Sequence, residues 1–281
     1  MGKTRFGRKA VQAAAVLIVF GILFSTGCLT NRRRATQTYQ VVIFGDSVYG
    51  NVRDESAIPE RLEELLGMTT FNAAIGGTCL GRWDTESDLD YSGDSLSVVA
   101  LAKAIYASDF GVQEAMRSKE EIIDYFPEMI RELEKIDFSS VELVIIGSGT
   151  NDYYNGILLE NSKDPMDEHS FAGALRRTIG YLRRSNPELR ILLVTPAYSW
   201  LVQAGQTCEQ YNLSGILEEY VNKEIEVAEE CGVEVLDIYH DFYTHEQWED
   251  YTLYTLDGLH PNDDGRKMIA ERIAEYLKNN L

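Results

Sequence analysis

Four short blocks hold the side chains and backbone groups that could carry chemistry. Phe44-Gly45-Asp46-Ser47 closes an apolar run and puts a serine at a strand end. A serine hydroxyl is a weak nucleophile and needs a base beside it. Asn72-Ala73-Ala74-Ile75-Gly76-Gly77 closes a weaker run, and its paired glycines let a ligand come close to the backbone. Gly149-Thr150-Asn151-Asp152 closes a third, where the Asn151 amide can donate to a developing oxyanion. Asp257-Gly258-Leu259-His260-Pro261-Asn262 sets an aspartate three residues before a histidine. That carboxylate can hold one ring nitrogen and leave the other facing outward as a base. Each block alone also has a plain reading as a turn.

Of the four histidines, His260 is the candidate base, while His169, His240 and His245 read as surface or packing residues. Asp46 and Asp152 read as structural carboxylates that bond loop backbone. A metal phosphoesterase would instead use Asp46, Asp152, Asp257 and His260. The serine arrangement needs neither metal nor cofactor.

These groups must be held by the elements around them. Val41-Val42-Ile43-Phe44, Thr69 to Ala73, Val141 to Ile146, Ile191 to Val194 and Val233 to Ile238 are short apolar runs. Such runs, without polar alternation, suit strands buried on both faces of a parallel sheet. Between them lie helical periods. They are Ile122 through Ile136, Phe171 through Leu182, Leu213 through Val221, and Met268 through Leu277 after an Asn262 N-cap. Alternation of this kind predicts βαβ units in a three-layer α/β/α domain over residues 38–281, with a five-stranded, mainly parallel sheet. Helix propensity resumes near Ala57, which leaves Ser47 in a turn. Two stretches exceed a minimal repeat, 81–118 with a helical segment near Ser95–Ser108, and 239–258; both are expected to line the ligand crevice.

Taken in order, FGDS at 44–47, NAAIGG at 72–77, GTND at 149–152 and DGLHPN at 257–262 resemble the SGNH/GDSL hydrolases. Members of that family are esterases, lipases and related acyl hydrolases on a flavodoxin-like fold. The resemblance implies Ser47 as nucleophile, His260 as general base and Asp257 as the residue orienting the imidazole. It implies an oxyanion hole from the Ser47 and Gly77 backbone N–H groups and the Asn151 side chain. Gly77 is taken over Gly76 because it stands five residues after Asn72. The long 81–140 segment departs from smaller members of the family.

The chain of 281 residues carries 26 basic and 45 acidic side chains, a net charge of −19. That balance disfavours a nucleic-acid partner, which needs a basic face. The first 34 residues hold seven basic residues and no acid, leaving 19 basic against 45 acidic side chains beyond them. Residues 11–29 carry no charge and follow a basic start, the pattern of an export signal. They lead through Ser25-Thr26-Gly27 into Cys28, which resembles a bacterial lipobox with Ser25 where Leu is usual. Residues 1–37 are therefore expected to be a signal peptide, lipoprotein anchor and linker, with Cys28 the lipidated residue. A retained anchor helix and plain secretion are the alternatives. An exported enzyme with this site is expected to cleave acyl or acetyl esters of glycans or small molecules. A lysophospholipase or thioesterase acting on lipid is the alternative, and a non-catalytic glycan-binding lipoprotein comes last. Scattered cysteines at 28, 79, 208 and 231 do not form a disulfide framework, although Cys79 and Cys208 could pair. Tyr153 and Trp200 are candidates for a stacking platform.

Overall fold

Five of the apolar runs become strands of one sheet in the computed structural model, which describes residues 38–83, 95–115, 125–210 and 213–280. The expected anchor and Cys28 lie outside the described residues. In chain order the strands are β1 (Val41–Gly45), β2 (Thr70–Asn72), β3 (Leu143–Gly147), β4 (Arg190–Val194), a small hairpin β5 (Trp200–Leu201) and β6 (Gln206–Thr207), and β7 (Glu234–Leu236). The helices are α1 (Ser47–Gly50), α2 (Ile58–Leu66), α3 (Val98–Ala107), α4 (Gly111–Ala115), α5 (Phe126–Leu133), α6 (Thr150–Asn155), α7 (Phe171–Ser185), α8 (Leu217–Cys231), α9 (Tyr251–Tyr254) and α10 (Asp263–Asn279).

The sheet runs β2-β1-β3-β4-β7 and every neighbouring pair is parallel. This is the flavodoxin-like order, so the strand sequence reverses between β1 and β3 and opens a crevice at their carboxyl ends. Strand residues alternate between two buried layers. Val42, Phe44, Val144, Ile146, Ile191 and Leu193 face one. Val41, Ile43, Leu143, Ile145, Leu192 and Val194 face the other. Helices α3, α5, α7 and α8 cover the first layer; α2 and α10 cover the second. Burial on both faces is why the runs show no polar alternation.

Three expectations change. Ser47 does not sit in an open turn but begins the one-turn helix α1, with Asp46 as its N-cap. The Asp46 side chain accepts from the Val48 N–H at 2.9 Å, a bond that nucleates a turn of helix too short to show any period. Helix α8 begins at Leu217 rather than Leu213, because Gly215 at φ +151° breaks the backbone and leaves Leu213 exposed. Residues 96–105 do not line the crevice: Leu96, Val98, Val99, Leu101 and Ala102 are buried against α7. Small alanines on α3 and on α7 allow the two helices to pack closely.

Candidate active site

Strand β1 carries Ser47 to the switch point, and β3 carries Asn151 to the same edge. Gly45 and Gly147, paired at these strand ends, make room for the ring of Tyr49; a Cβ at Gly147 would collide with it. His260 comes from the loop before α10. The Asn262 side chain accepts from Gly265 N–H at 2.9 Å and caps that helix. Arg266 then donates to the Pro261 and Ser56 carbonyls, each at 2.9 Å, and so ties the loop to the start of α2.

This brings three of the sequence candidates into a row. His260 Nε2 lies 3.0 Å from Ser47 Oγ, across 213 residues of sequence. His260 Nδ1 lies 2.7 Å from Asp257 Oδ2. Asp257 Oδ1 also accepts from the N–H groups of Leu259 at 3.0 Å and His260 at 2.8 Å. Burial raises the Asp257 carboxyl, but the His260 ring and these backbone bonds outweigh it and hold the group below its ordinary value. A charged Asp257 favours the proton on Nδ1, which leaves Nε2 free to accept from the serine.

The oxyanion candidates stand around Ser47. As the first residue of α1, Ser47 has a backbone N–H with no intrahelical acceptor. Gly76 and Gly77 differ sharply. The Gly76 N–H donates to Tyr125 Oη at 2.8 Å and Gly76 is buried. Gly77 is exposed, adopts φ +78°, and its N–H makes no hydrogen bond among the described residues. The Asn151 amide gives one N–H to the Thr78 carbonyl at 2.9 Å, which sets it beside Gly77 with a second N–H to spare.

Asp152 is fully buried and accepts from the Leu80 and Gly81 N–H groups at 2.8 and 2.9 Å. Burial pushes its carboxyl up to about 7 against those two bonds. Burial likewise raises Asp46 to about 6, against its Val48 bond and the nearby His260. Both carboxylates thus hold loops, as their positions suggested. Cys79 and Cys208 are buried free thiols, with Asn155 and Tyr239 as their respective neighbours. Tyr153 and Trp200 are buried, so neither offers an open stacking face.

One motif escaped the sequence reading. Asp237-Ile238-Tyr239-His240 repeats the Asp-x-x-His spacing at the end of β7. Asp237 Oδ2 lies 2.7 Å from His240 Nδ1, while Oδ1 accepts from the N–H groups of Tyr239 at 2.8 Å and His240 at 3.1 Å. Its outward Nε2 meets Glu218, at 3.3 Å, and not a hydroxyl. The spacing alone would have revealed it.

Sheet order and site together define an α/β/α protein with a histidine-paired serine at the topological switch point. The chain belongs to the GDSL-like lipase/acylhydrolase family, whose model matches residues 43–268. It is 30% identical over 161 residues to the isoamyl acetate-hydrolyzing esterase 1 homolog of Homo sapiens, a match covering 55% of this chain and 62% of that protein. The chain therefore spans somewhat under two thirds of that relative's length. Among solved structures, a possible lipase from Chitinophaga pinensis superposes with a TM-score of 0.56 at 18% identity, over 85% of this chain and 97% of that one. A carbohydrate acetylesterase from Sinorhizobium meliloti gives 0.51 at 15% identity, over 86% and 99%. These two likenesses show the shared fold.

Proposed function

We propose that the protein is an extracytoplasmic serine ester hydrolase acting on short acyl esters, above all acetyl esters of glycans or small molecules. The observation that carries this reading is the Ser47–His260–Asp257 row, at 3.0 and 2.7 Å. Ser47 Oγ attacks the ester carbonyl while His260 Nε2 takes its proton. The tetrahedral oxyanion is received by the N–H groups of Ser47 and Gly77 and by the Asn151 amide. The proton then passes from His260 to the leaving alcohol, and water repeats the sequence on the acyl-enzyme. Asp257 keeps its charge and stabilises the imidazolium.

One observation supports a short acyl group. The human relative is named for hydrolysis of isoamyl acetate, itself an acetate ester. Location rests on the basic start, the uncharged 11–29 run and Cys28, which fit export and lipid attachment. Among the described residues no helix is long and apolar enough to cross a membrane.

A second reading, hydrolysis of lipid acyl chains, is favoured by exposed Leu201, Trp248, Leu253 and Leu256 in the loops flanking the Asp257–His260 turn. An ester panel from acetyl to palmitoyl decides between them. The short-acyl reading expects acetate release to dominate and a fluorophosphonate to label wild type but not Ser47→Ala. Release of long chains without acetate selects the second reading, and a fully active Ser47→Ala removes both. Intact-mass analysis of the membrane fraction tests the anchor; a chain that still begins at Met1 without lipid rejects it.

A further inference from the structure

One arginine joins the helix of the nucleophile to the loop that carries Gly77. Arg53 stands three residues beyond α1. Its Nε donates to the Gly50 carbonyl at 3.2 Å, Nη1 to Asn72 O at 3.2 Å and Nη2 to Ala74 O at 2.5 Å. The guanidinium carbon lies 3.9 Å over the centre of the Tyr125 ring. The hydroxyl of that same ring accepts the Gly76 N–H at 2.8 Å. One fork therefore grips the last residue of α1 and two carbonyls leading into Gly76-Gly77, while the ring beneath it holds the next N–H along.

Asn72 reinforces the join, donating to Tyr49 O at 3.1 Å and accepting from Ala74 N–H at 3.1 Å. The two segments lie so close that a Cβ at Gly50 would stand 2.9 Å from Ala74 O. Arg53 forms no ion pair with a carboxylate among the described residues, and burial pulls its guanidinium below the ordinary value. The Tyr125 side chain and, more weakly, the Glu60 carboxylate offset part of that burial. The three bonds from Arg53 to carbonyl oxygens all fix backbone.

We propose that Arg53, seated on Tyr125, is the positioning residue that sets the oxyanion hole by fixing the Gly77 loop against α1. The inference rests on the serine-hydrolase reading above. The Ser47 N–H belongs to α1 and the Gly77 N–H to the clamped loop, so their separation is governed by this join. Donors must be held to within about 0.5 Å to act on a transition state. Arg53 touches neither substrate nor nucleophile, and its effect passes through the two backbone segments.

The test uses the full chain with p-nitrophenyl acetate, a methyl trifluoromethyl ketone and fluorophosphonate titration of active sites. Arg53→Met is expected to lower kcat per titrated site by about 10²-fold, as a displacement near 1 Å does, with little change in KM. The ketone forms the oxyanion on binding, so its affinity should weaken by a similar factor. Arg53→Lys should not restore either quantity, because an ammonium lacks the planar fork. Tyr125→Phe, which keeps the ring and loses only the Gly76 bond, should cost about fivefold in kcat, the equivalent of one neutral hydrogen bond. A purely structural role would lower thermal stability and the titrated fraction while leaving kcat per site and ketone affinity unchanged, and that result overturns the proposal. If Arg53→Met does not fold, Tyr125→Phe decides, and an unchanged kcat overturns it. Wild-type turnover by Ser47→Ala would instead overturn the hydrolase reading itself, so the two failures are distinguishable.

Discussion

Replacing Asp257 by alanine and by asparagine should give unequal losses, with the closer mimic the worse. Alanine removes the 2.7 Å charged bond to His260 Nδ1. A hydrogen bond to a charged group contributes about 1.5–3 kcal/mol, or roughly 10- to 150-fold in rate. The Asp257 side chain is 52% exposed, so water can fill part of the gap and the lower half of that range applies. Asparagine keeps the oxygen that accepts from Leu259 and His260 N–H. Its amide nitrogen, however, presents hydrogens to Nδ1. The ring must then carry its proton on Nε2, facing Ser47, and can no longer accept one. In a serine-protease triad this exchange costs about 10⁴ in kcat. The assay is kcat/KM for p-nitrophenyl acetate across pH 5–9, per titrated site. Asp257→Ala within twofold of wild type, or asparagine outperforming alanine, would refute the proposed role of this aspartate.

Removing the Asn151 amide as Asn151→Ala should lower kcat by about 10²–10³-fold with KM nearly constant, read by steady-state kinetics on an acetate ester. Glu224 is buried with neither carboxylate oxygen hydrogen-bonded among the described residues, and burial drives its carboxyl well above the ordinary 4.5. The folded chain therefore holds that proton more tightly than the unfolded one, and stability falls as pH rises above 4.5. Glu224→Met should stabilise the protein by about 1–3 kcal/mol near pH 8 and lose that advantage toward acid; a pH-independent difference in urea midpoints counts against it. His240 is raised by its bond to Asp237 and secondarily by Glu218. Its contribution is complete below its unfolded value near 6.5 and disappears as pH climbs through the raised folded value. His240→Gln should flatten stability over that interval by a few tenths of a kcal/mol, since the ring is 42% exposed.

The sheet was legible because its strands are buried twice over: Val41 to Phe44 and Leu143 to Ile146 read as apolar runs for the same reason that they form central strands. Serine, histidine and aspartate were legible because each stands at a fixed offset from a strand or helix end. The helix near Ser95–Ser108 was legible as α3, but its place was not: the flanking acids and glycines look like surface sequence, and only the apposed α7 shows that Val98 to Ile105 is core. Arg53 was beyond reach, because its three acceptors are carbonyls, which every residue possesses and no spacing announces. What distinguishes Gly76 from Gly77 in the structure is a tyrosine 49 residues away, which accepts the Gly76 N–H.

The repeated Asp-x-x-His turn has a consequence for how the candidate site is assembled. The same geometry forms at His240, where no serine waits, so each imidazole–carboxylate pair closes within four consecutive residues, while distant groups hold the turns: the Trp200 N–H on the Gly258 carbonyl at 2.8 Å and the Thr195 hydroxyl on Asp237 at 3.4 Å. Bringing the Asp257–His260 pair to Ser47 is a separate matter of docking. It depends on α10 lying against α2, held by Arg266 on Ser56 and by Arg61 on Asp263 at 2.7 Å. Loosening of α10 would uncover one face of the sheet and, at the same time, draw His260 away from Ser47. On the proposed hydrolase reading, turnover of an acetate ester is expected to fade on heating before the far-UV circular dichroism signal does; coincident loss of the two counts against it.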